Sequence, residues 1–139
     1  MTLEHFHIIE PVLETEFDSF WKPSILQHEL ENSLSHYYIA TAEDKIYGFG
    51  GIWKAIDVYH ITDIVVRKDS RKLGIGSLIL EKLIQVAQNE NVNSLTLEVN
   101  KNNIPAQKLY EKFGFKTLGI RKKYYNNTDD AIIMTLFFN

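Results

Sequence analysis

Ile64-Val65-Val66-Arg67-Lys68-Asp69-Ser70-Arg71-Lys72-Leu73-Gly74-Ile75-Gly76-Ser77 passes from an apolar strand through a basic loop into a helix. That order suits an anion. A helix N-terminus presents unpaired N–H groups and about half a positive charge. Glycines bring a ligand close to the backbone, and Arg67, Lys68, Arg71 and Lys72 supply countercharge, so phosphate is the natural guest. The spacing is not the triphosphate-binding G-x4-G-K-S/T, and Ile79 stands where a dinucleotide fingerprint would carry its third glycine. A glycine-containing helix start with solvated basic side chains also fits these residues alone, so the flanking sequence has to decide.

Working outward toward the start of the chain, helices come first and then a hairpin. Leu3, Phe6, Ile9, Val12, Leu13 and Phe17 fall on a helical stripe from about Thr2 to Phe17, which Pro11 interrupts, predicting a kinked or split helix. A second helix is expected from near Pro23, a residue tolerated in a first turn, through Ile25, Leu26, His28, Glu29 and Leu30 to about Ser33. His36 to Ala42, the polar turn Glu43-Asp44-Lys45 and Ile46 to Trp53 read as a hairpin. Gly48, Gly50 and Gly51 weaken its second strand but admit a close neighbour. Asp57 to Val66 is a third strand.

Beyond the loop, Leu73, Ile75, Leu78, Ile79, Leu83 and Val86 keep one helical face apolar to about Glu90. Ser94 to Val99 alternates Leu95, Leu97 and Val99 with Thr96 and Glu98, a strand. Asn103 can cap a helix with Ala106, Leu109, Tyr110 and Phe113 on one side and Gly114 as its stop. Strands at about Lys116 to Tyr125 and Ala131 to Phe138 close the chain around Asn126-Asn127-Thr128-Asp129. Antiparallel strands, then strand–helix–strand–helix, then a strand pair predict an α/β fold: a mixed central sheet with helices on both faces.

Length and composition bound the rest. The 139 residues suit one domain, residues 1–139, able to bury roughly 68% of its unfolded surface. Charged residues at 24% and hydrophobic ones at 45% are globular values, and no repeat or linker divides the chain. A net charge of −3 gives no global attraction to polyanions, so no direct nucleic-acid partner is expected. The absence of cysteine excludes disulfides, zinc fingers and a thiol nucleophile. Apolar runs fall far short of the ~18 residues of a membrane span, and Met1-Thr2-Leu3-Glu4-His5 lacks a leader's basic and apolar pattern, so a cytoplasmic protein without a membrane partner is expected. His5-x-His7, the closest histidine pair, lacks further ligands, and no metal is expected.

The decisive context is the helix after the strand of Leu95 to Val99. Arg71-x-x-Gly74-x-Gly76 followed by Asn103-x-x-Ala106-x-x-Leu109-Tyr110-x-x-x-Gly114-Phe115 resembles the GNAT superfamily of N-acetyltransferases, over roughly the last 80 residues. The pairing of the two motifs is specific; either half alone is weak. Within it the chain resembles the RimI-like group, which acetylates the N-terminal alanine of a ribosomal protein. Phe20-Trp21-x-x-x-x-Leu26, Leu97-Glu98-Val99 twelve residues before Tyr110, and Arg121-Lys122-Lys123-Tyr124-Tyr125 ahead of Asp130-Ala131-Ile132-Ile133-Met134 carry that likeness.

The resemblance implies the GNAT fold, with central strands that splay apart and acetyl-CoA held between them. The backbone of Ile64, Val65 and Val66 would pair with the pantetheine arm, and Arg71, Lys72, Leu73, Gly74, Ile75, Gly76 and Ser77 would receive the pyrophosphate. Asn103 would touch the pantetheine, a role compatible with capping its helix. Glu98 would act as general base and Tyr110 as general acid in direct attack of an amine on the thioester, without a covalent intermediate. Physical chemistry sets what each must do. A model α-amine with pKa near 7.8 is neutral in roughly 15% of molecules at pH 7, against about 0.04% for lysine, so an α-amine asks little of its base. A tyrosine near pKa 10 protonates a thiolate only when well placed. Read without the resemblance, Glu98 is equally a solvated strand residue and Tyr110 a packed one.

Trp21, Tyr124, Tyr125 and Asp130 are candidates for the acceptor slot, since aromatic and acidic walls suit a cationic N-terminus. The superfamily usually opens with a strand, whereas this chain enters a helix almost at once, so the leading strand is expected to be short or missing. The edge near residues 36 to 42 is then exposed or covered by a partner, in a monomer or weak homodimer. The expected reaction is acetyl transfer to a protein or peptide N-terminus. The rivals are a lysine, polyamine or small-molecule amine acetyltransferase and a non-catalytic acetyl-CoA-binding module.

Overall fold

The computed structural model describes residues 1, 5, 7–8, 10–12, 27–28, 30–43, 45–70, 73–125 and 129–138, with the backbone alone at 12 and 123–125. Six strands form one mixed sheet: β1 (Ser35–Ala42), β2 (Lys45–Lys54), β3 (Val58–Val66), β4 (Ser94–Asn100), β5 (Lys116–Tyr125) and β6 (Asp129–Phe137), in the order β1-β2-β3-β4-β6-β5. The crossover helices are α1 (Ile75–Asn89) and α2 (Ile104–Lys112). No described helix is long and apolar enough to cross a membrane.

The α1 periodicity becomes a buried face of Ile79, Leu80, Leu83 and Ala87. That face lies on β2 where two of its glycines stand. A Cβ at Gly50 would sit 2.4 Å from Ile79 Cγ2, and one at Gly48 would sit 2.7 Å from the Val65 carbonyl oxygen and 3.0 Å from Ile79 Cδ1. The glycines thus set how closely the helix approaches the sheet. Ile52, Tyr59, Ile61, Leu95, Leu97 and Met134 complete the core beneath α1, and Ala106, Leu109, Tyr110 and Phe113 of α2 pack onto it. Gly114, at φ 97°, ends α2 in a conformation that glycine adopts without strain.

The other face of the sheet carries a smaller cluster of Tyr37, Ile46, Phe49 and Val65, covered in part by Met1 and by helical Leu30. Residues 5, 7 and 8 are helical and a 3-10 turn at Glu10–Val12 marks the expected break at Pro11. Residues 27, 28, 30 and 31 are helical, while the second helix's start near Pro23 lies outside the described residues. Among the described residues no strand precedes β1. The Met1 ammonium donates to the Tyr37 carbonyl on the β1 edge.

The feature that positions the site is how β3 leaves β4. These parallel strands pair only at Val58–Ser94, Tyr59–Leu95 and His60–Thr96. Beyond that, β4 continues to pair with β6 as far as Asn100, and β3 with β2 as far as Val66, so the two walls separate. The cause is local. β2 pairs Ile52 with Ile61 and Gly51 with Asp63, which leaves Thr62 as an extra residue in β3. Such a bulge bends its strand and increases its twist, and it falls where the pairing stops. The expected splay is therefore present.

Candidate active site

The far end of the wedge is the loop into α1. Gly74, at φ 80°, is the N-cap residue and offers no side-chain cap, so among the described residues the first-turn amides have neither an intrahelical acceptor nor a capping oxygen. Gly76 tests whether a phosphate carrier fits. Among the described residues a Cβ there would find only Leu109 Cδ2 and Val66 Cγ2, each at 3.8 Å, so their packing does not require a glycine. Its bare Cα leaves the backbone open between β3, α1 and α2, as close approach of a diphosphate demands. Ile75 and Ser77 are partly buried beside it and Leu73 is exposed. Arg71 and Lys72 lie outside the described residues.

Arg67 corrects one expectation. Instead of offering countercharge it is buried, and its Nε and Nη2 donate to the Ile46 carbonyl at 3.1 and 3.0 Å. Its guanidinium closes the end of the β2–β3 hairpin. Asn103 takes the capping role, its Oδ1 accepting the Ala106 N–H at 3.2 Å.

The expected catalytic pair is divided between the faces of the sheet. Leu95, Leu97 and Val99 face the α1 core, so Glu98 points to the opposite side. Tyr110 packs on the α1 side, its ring 5.8 Å from Phe115. The two residues approach a shared reactant only through the gap between β3 and β4. Glu98 Oε1 is 3.0 Å from Arg121 Nη2, and Glu98 Oε2 is buried with no hydrogen-bond partner among the described residues. Arg121, on β5 opposite Ala131, reaches across β6 to Glu98, which lies opposite Ile133. It belongs to the candidate site, yet no sequence rule pairs it with Glu98, because that contact needs the register of three strands.

His60 and Asp63 share the face of Glu98. The His60 ring lies 5.4 Å from that of Trp53; burial holds its imidazole below the ordinary range while the charge of Glu98 pulls the other way. Burial pushes the Asp63 carboxyl up to about 7, opposed by a hydrogen bond from the Ile64 amide.

Of the acceptor-slot candidates, Trp21 and the side chains of Tyr124 and Tyr125 lie outside the described residues. Asp130 is partly buried; its Oδ2 is 3.9 Å from Lys101 Nζ and its carbonyl accepts the Lys101 N–H at 3.0 Å. Asn100 donates to Asp129 at 3.1 Å, so the start of β6 is tied to the end of β4. A surface cavity of about 420 Å³ lies elsewhere, between Met1, Leu30 and the β1 residues Tyr37 and Tyr38. No predicted site residue among the described residues lines it. No three His, Asp or Glu side chains that could hold a metal come together among the described residues.

A splayed parallel pair, an open glycine turn and a capped second crossover helix form the arrangement the two motifs imply. Residues 4–115 match the model of the Acetyltransferase (GNAT) family. The chain belongs to that family. It is an acetyl-CoA-dependent N-acetyltransferase. A Bacillus subtilis protein provisionally assigned as a [ribosomal protein bS18]-alanine N-acetyltransferase is 34% identical over 141 residues, covering 100% of this chain and 93% of that protein. The crystal structure of the ribosomal-protein-S18-alanine N-acetyltransferase from Escherichia coli superposes with a TM-score of 0.88 at 26% identity, covering 99% of this chain and 90% of the other. A Bacillus anthracis protein provisionally called a streptothricin acetyltransferase, solved with acetyl coenzyme A, is 32% identical with a TM-score of 0.71, covering 81% of this chain and 68% of the other. The expectations of a GNAT acetyltransferase, of acetyl-CoA and of RimI-like relatives are borne out.

Proposed function

We propose that this acetyltransferase acts on the N-terminal α-amine of a protein, with a ribosomal protein as its acceptor. The observation that carries the catalytic reading is Glu98, with one oxygen held by Arg121 and the other buried with no partner among the described residues, on the face away from Tyr110. A buried oxygen without a donor is costly, and an amine or a water carrying its proton supplies the missing donor. The acceptor class is supported by relatives that cover nearly the whole chain and are named for the alanine terminus of bS18.

When bound, acetyl-CoA supplies the thioester carbon that the amine attacks. Ile64, Val65 and Val66 pair with β2 on one edge and offer the other, left open where β3 parts from β4, to its arm, and the residues from Arg71 to Ser77 are assigned to its diphosphate. Asn103 braces α2 beside the arm. Glu98 Oε2 takes the proton from the amine, directly or through a water, as the new carbon–nitrogen bond forms. As the carbon–sulfur bond breaks, the Tyr110 hydroxyl gives its proton to the departing sulfur from the opposite face. Arg121 keeps Glu98 aimed at the gap. Trp21, Tyr124, Tyr125 and Asp130 form the acceptor slot.

The test compares a peptide bearing the terminus of the acceptor with the same peptide blocked at its α-amine, read by mass spectrometry. Acetylation of the free peptide alone is expected. Modification that survives the block, on a lysine or on an added polyamine, overturns the α-amine reading, and turnover with any amine disposes of the non-catalytic module.

A further inference from the structure

One carboxylate on the wall of the wedge has no role in the chemistry above, and the bulge in β3 decides where it points. Tyr59 and Ile61 face the α1 core. Strict alternation would therefore carry Asp63 onto that apolar side and turn Ile64 and Val66 away from it. The extra residue, Thr62, reverses the outcome. Ile64 and Val66 pack against the α1 core, while Asp63, paired with Gly51, leaves on the face shared by Tyr37, His60 and Glu98. The bulge is also held from outside the ladder. Tyr37 Oη and Thr62 Oγ1 are 3.2 Å apart, and they fill the space a side chain on Gly51 would need, where a Cβ would stand 2.5 Å from the Tyr37 ring and 2.4 Å from the Thr62 hydroxyl.

The bulge thus turns a carboxylate out of the core at the point where β3 and β4 part, beyond the last pair, His60–Thr96. Among the described residues its hydrogen-bond donor is the neighbouring Ile64 amide, and no cation pairs with it. Burial without a cation penalises its charged form. A cationic guest restores what burial removes, whereas a neutral guest does not.

We propose that Asp63 receives the ammonium group of the incoming acceptor, holding it on the face from which Glu98 removes the proton. This rests on the amine-acceptor reading above and adds a binding residue on the opposite wall of the wedge. Asp63 takes no part in bond making: its carboxylate accepts N–H donors from the ammonium, and the departing proton still goes to Glu98.

Steady-state kinetics on the full chain test it, with acetyl-CoA and the peptide acceptor varied separately for the wild type, Asp63→Asn and Asp63→Glu. Loss of one charge-assisted hydrogen bond predicts an acceptor KM raised about tenfold in Asp63→Asn. The KM for acetyl-CoA and the kcat at saturating acceptor are expected to stay near wild type, and Asp63→Glu to recover part of the loss. An unchanged acceptor KM in a variant that melts with the wild type overturns the proposal, as does an equal rise in both KM values. If Asp63→Asn fails to fold, Asp63→Ser carries the same expectation. A second readout uses the wild type alone: a peptide with a hydroxyl in place of its α-amine is expected to compete at least about tenfold more weakly than the amine peptide binds, and equal binding overturns the proposal. Wild-type turnover on lysine or a polyamine but not on an α-amine defeats the acceptor assignment alone, and the Asp63 comparison is then read with that amine.

Discussion

Glu98 and Tyr110 are separated by the sheet, and that separation sets what each substitution does. Glu98→Gln keeps the shape and removes the base, so kcat is expected to fall by about 10²–10⁴-fold with the acetyl-CoA KM little changed. Tyr110→Phe keeps the ring on Phe115 and the core and removes only the hydroxyl, so its loss should fall on kcat as well. Unchanged turnover in both, measured with the peptide acceptor, sinks the assigned roles. Two glycines give a sharper contrast. Gly50→Ala drives a methyl to 2.4 Å from Ile79 Cγ2 and is expected to cost about 1–3 kcal/mol. Gly76→Ala meets nothing closer than 3.8 Å, so thermal denaturation should show a stability no lower than wild type while acetyl-CoA binding, followed by calorimetry, weakens. Equal loss of stability in the two variants would show that Gly76 is a packing residue.

At the scale of elements, the six strands and the two crossover helices are legible from periodicity to within a few residues. α1 and α2 were marked by their apolar stripes and α2 also by Asn103 and Gly114, because caps and stripes are local chemistry. Asn103→Ala removes the oxygen that accepts the Ala106 amide and should cost about 1 kcal/mol in denaturant melts, with acetyl-CoA affinity reporting any separate contact. The bulge at Thr62 was not legible. His60-Ile61-Thr62-Asp63-Ile64 carries no glycine or proline to mark it, and it exists because Ile61 and Asp63 take consecutive partners on β2. Arg67 departs from the role its sequence neighbours suggest for a related reason. In sequence it belongs to the basic loop, but its backbone continues the hairpin by pairing with Tyr47, which turns its side chain onto Ile46.

For the whole molecule, the wedge joins two halves of the sheet through only three residue pairs of β3 and β4. A ligand lying in that gap bridges them and binds the folded state alone. Acetyl-CoA at 100 times its Kd should therefore stabilise the fold by about 2.7 kcal/mol, seen as a rise in Tm of roughly 5–10 °C. Absence of any shift at saturating cofactor would mean that the gap is not its site.

The sequence by itself determined the order of elements, the two crossover helices, the glycine turn and the family, because apolar periodicity, capping and turn residues act over a few neighbouring positions. Only the tertiary structure decided that Arg67 is spent inside the hairpin, that Arg121 reaches Glu98 across β6, and that Asp63 leaves the core side of β3. Each of these depends on strand register, and register is settled by pairing between residues far apart in the chain.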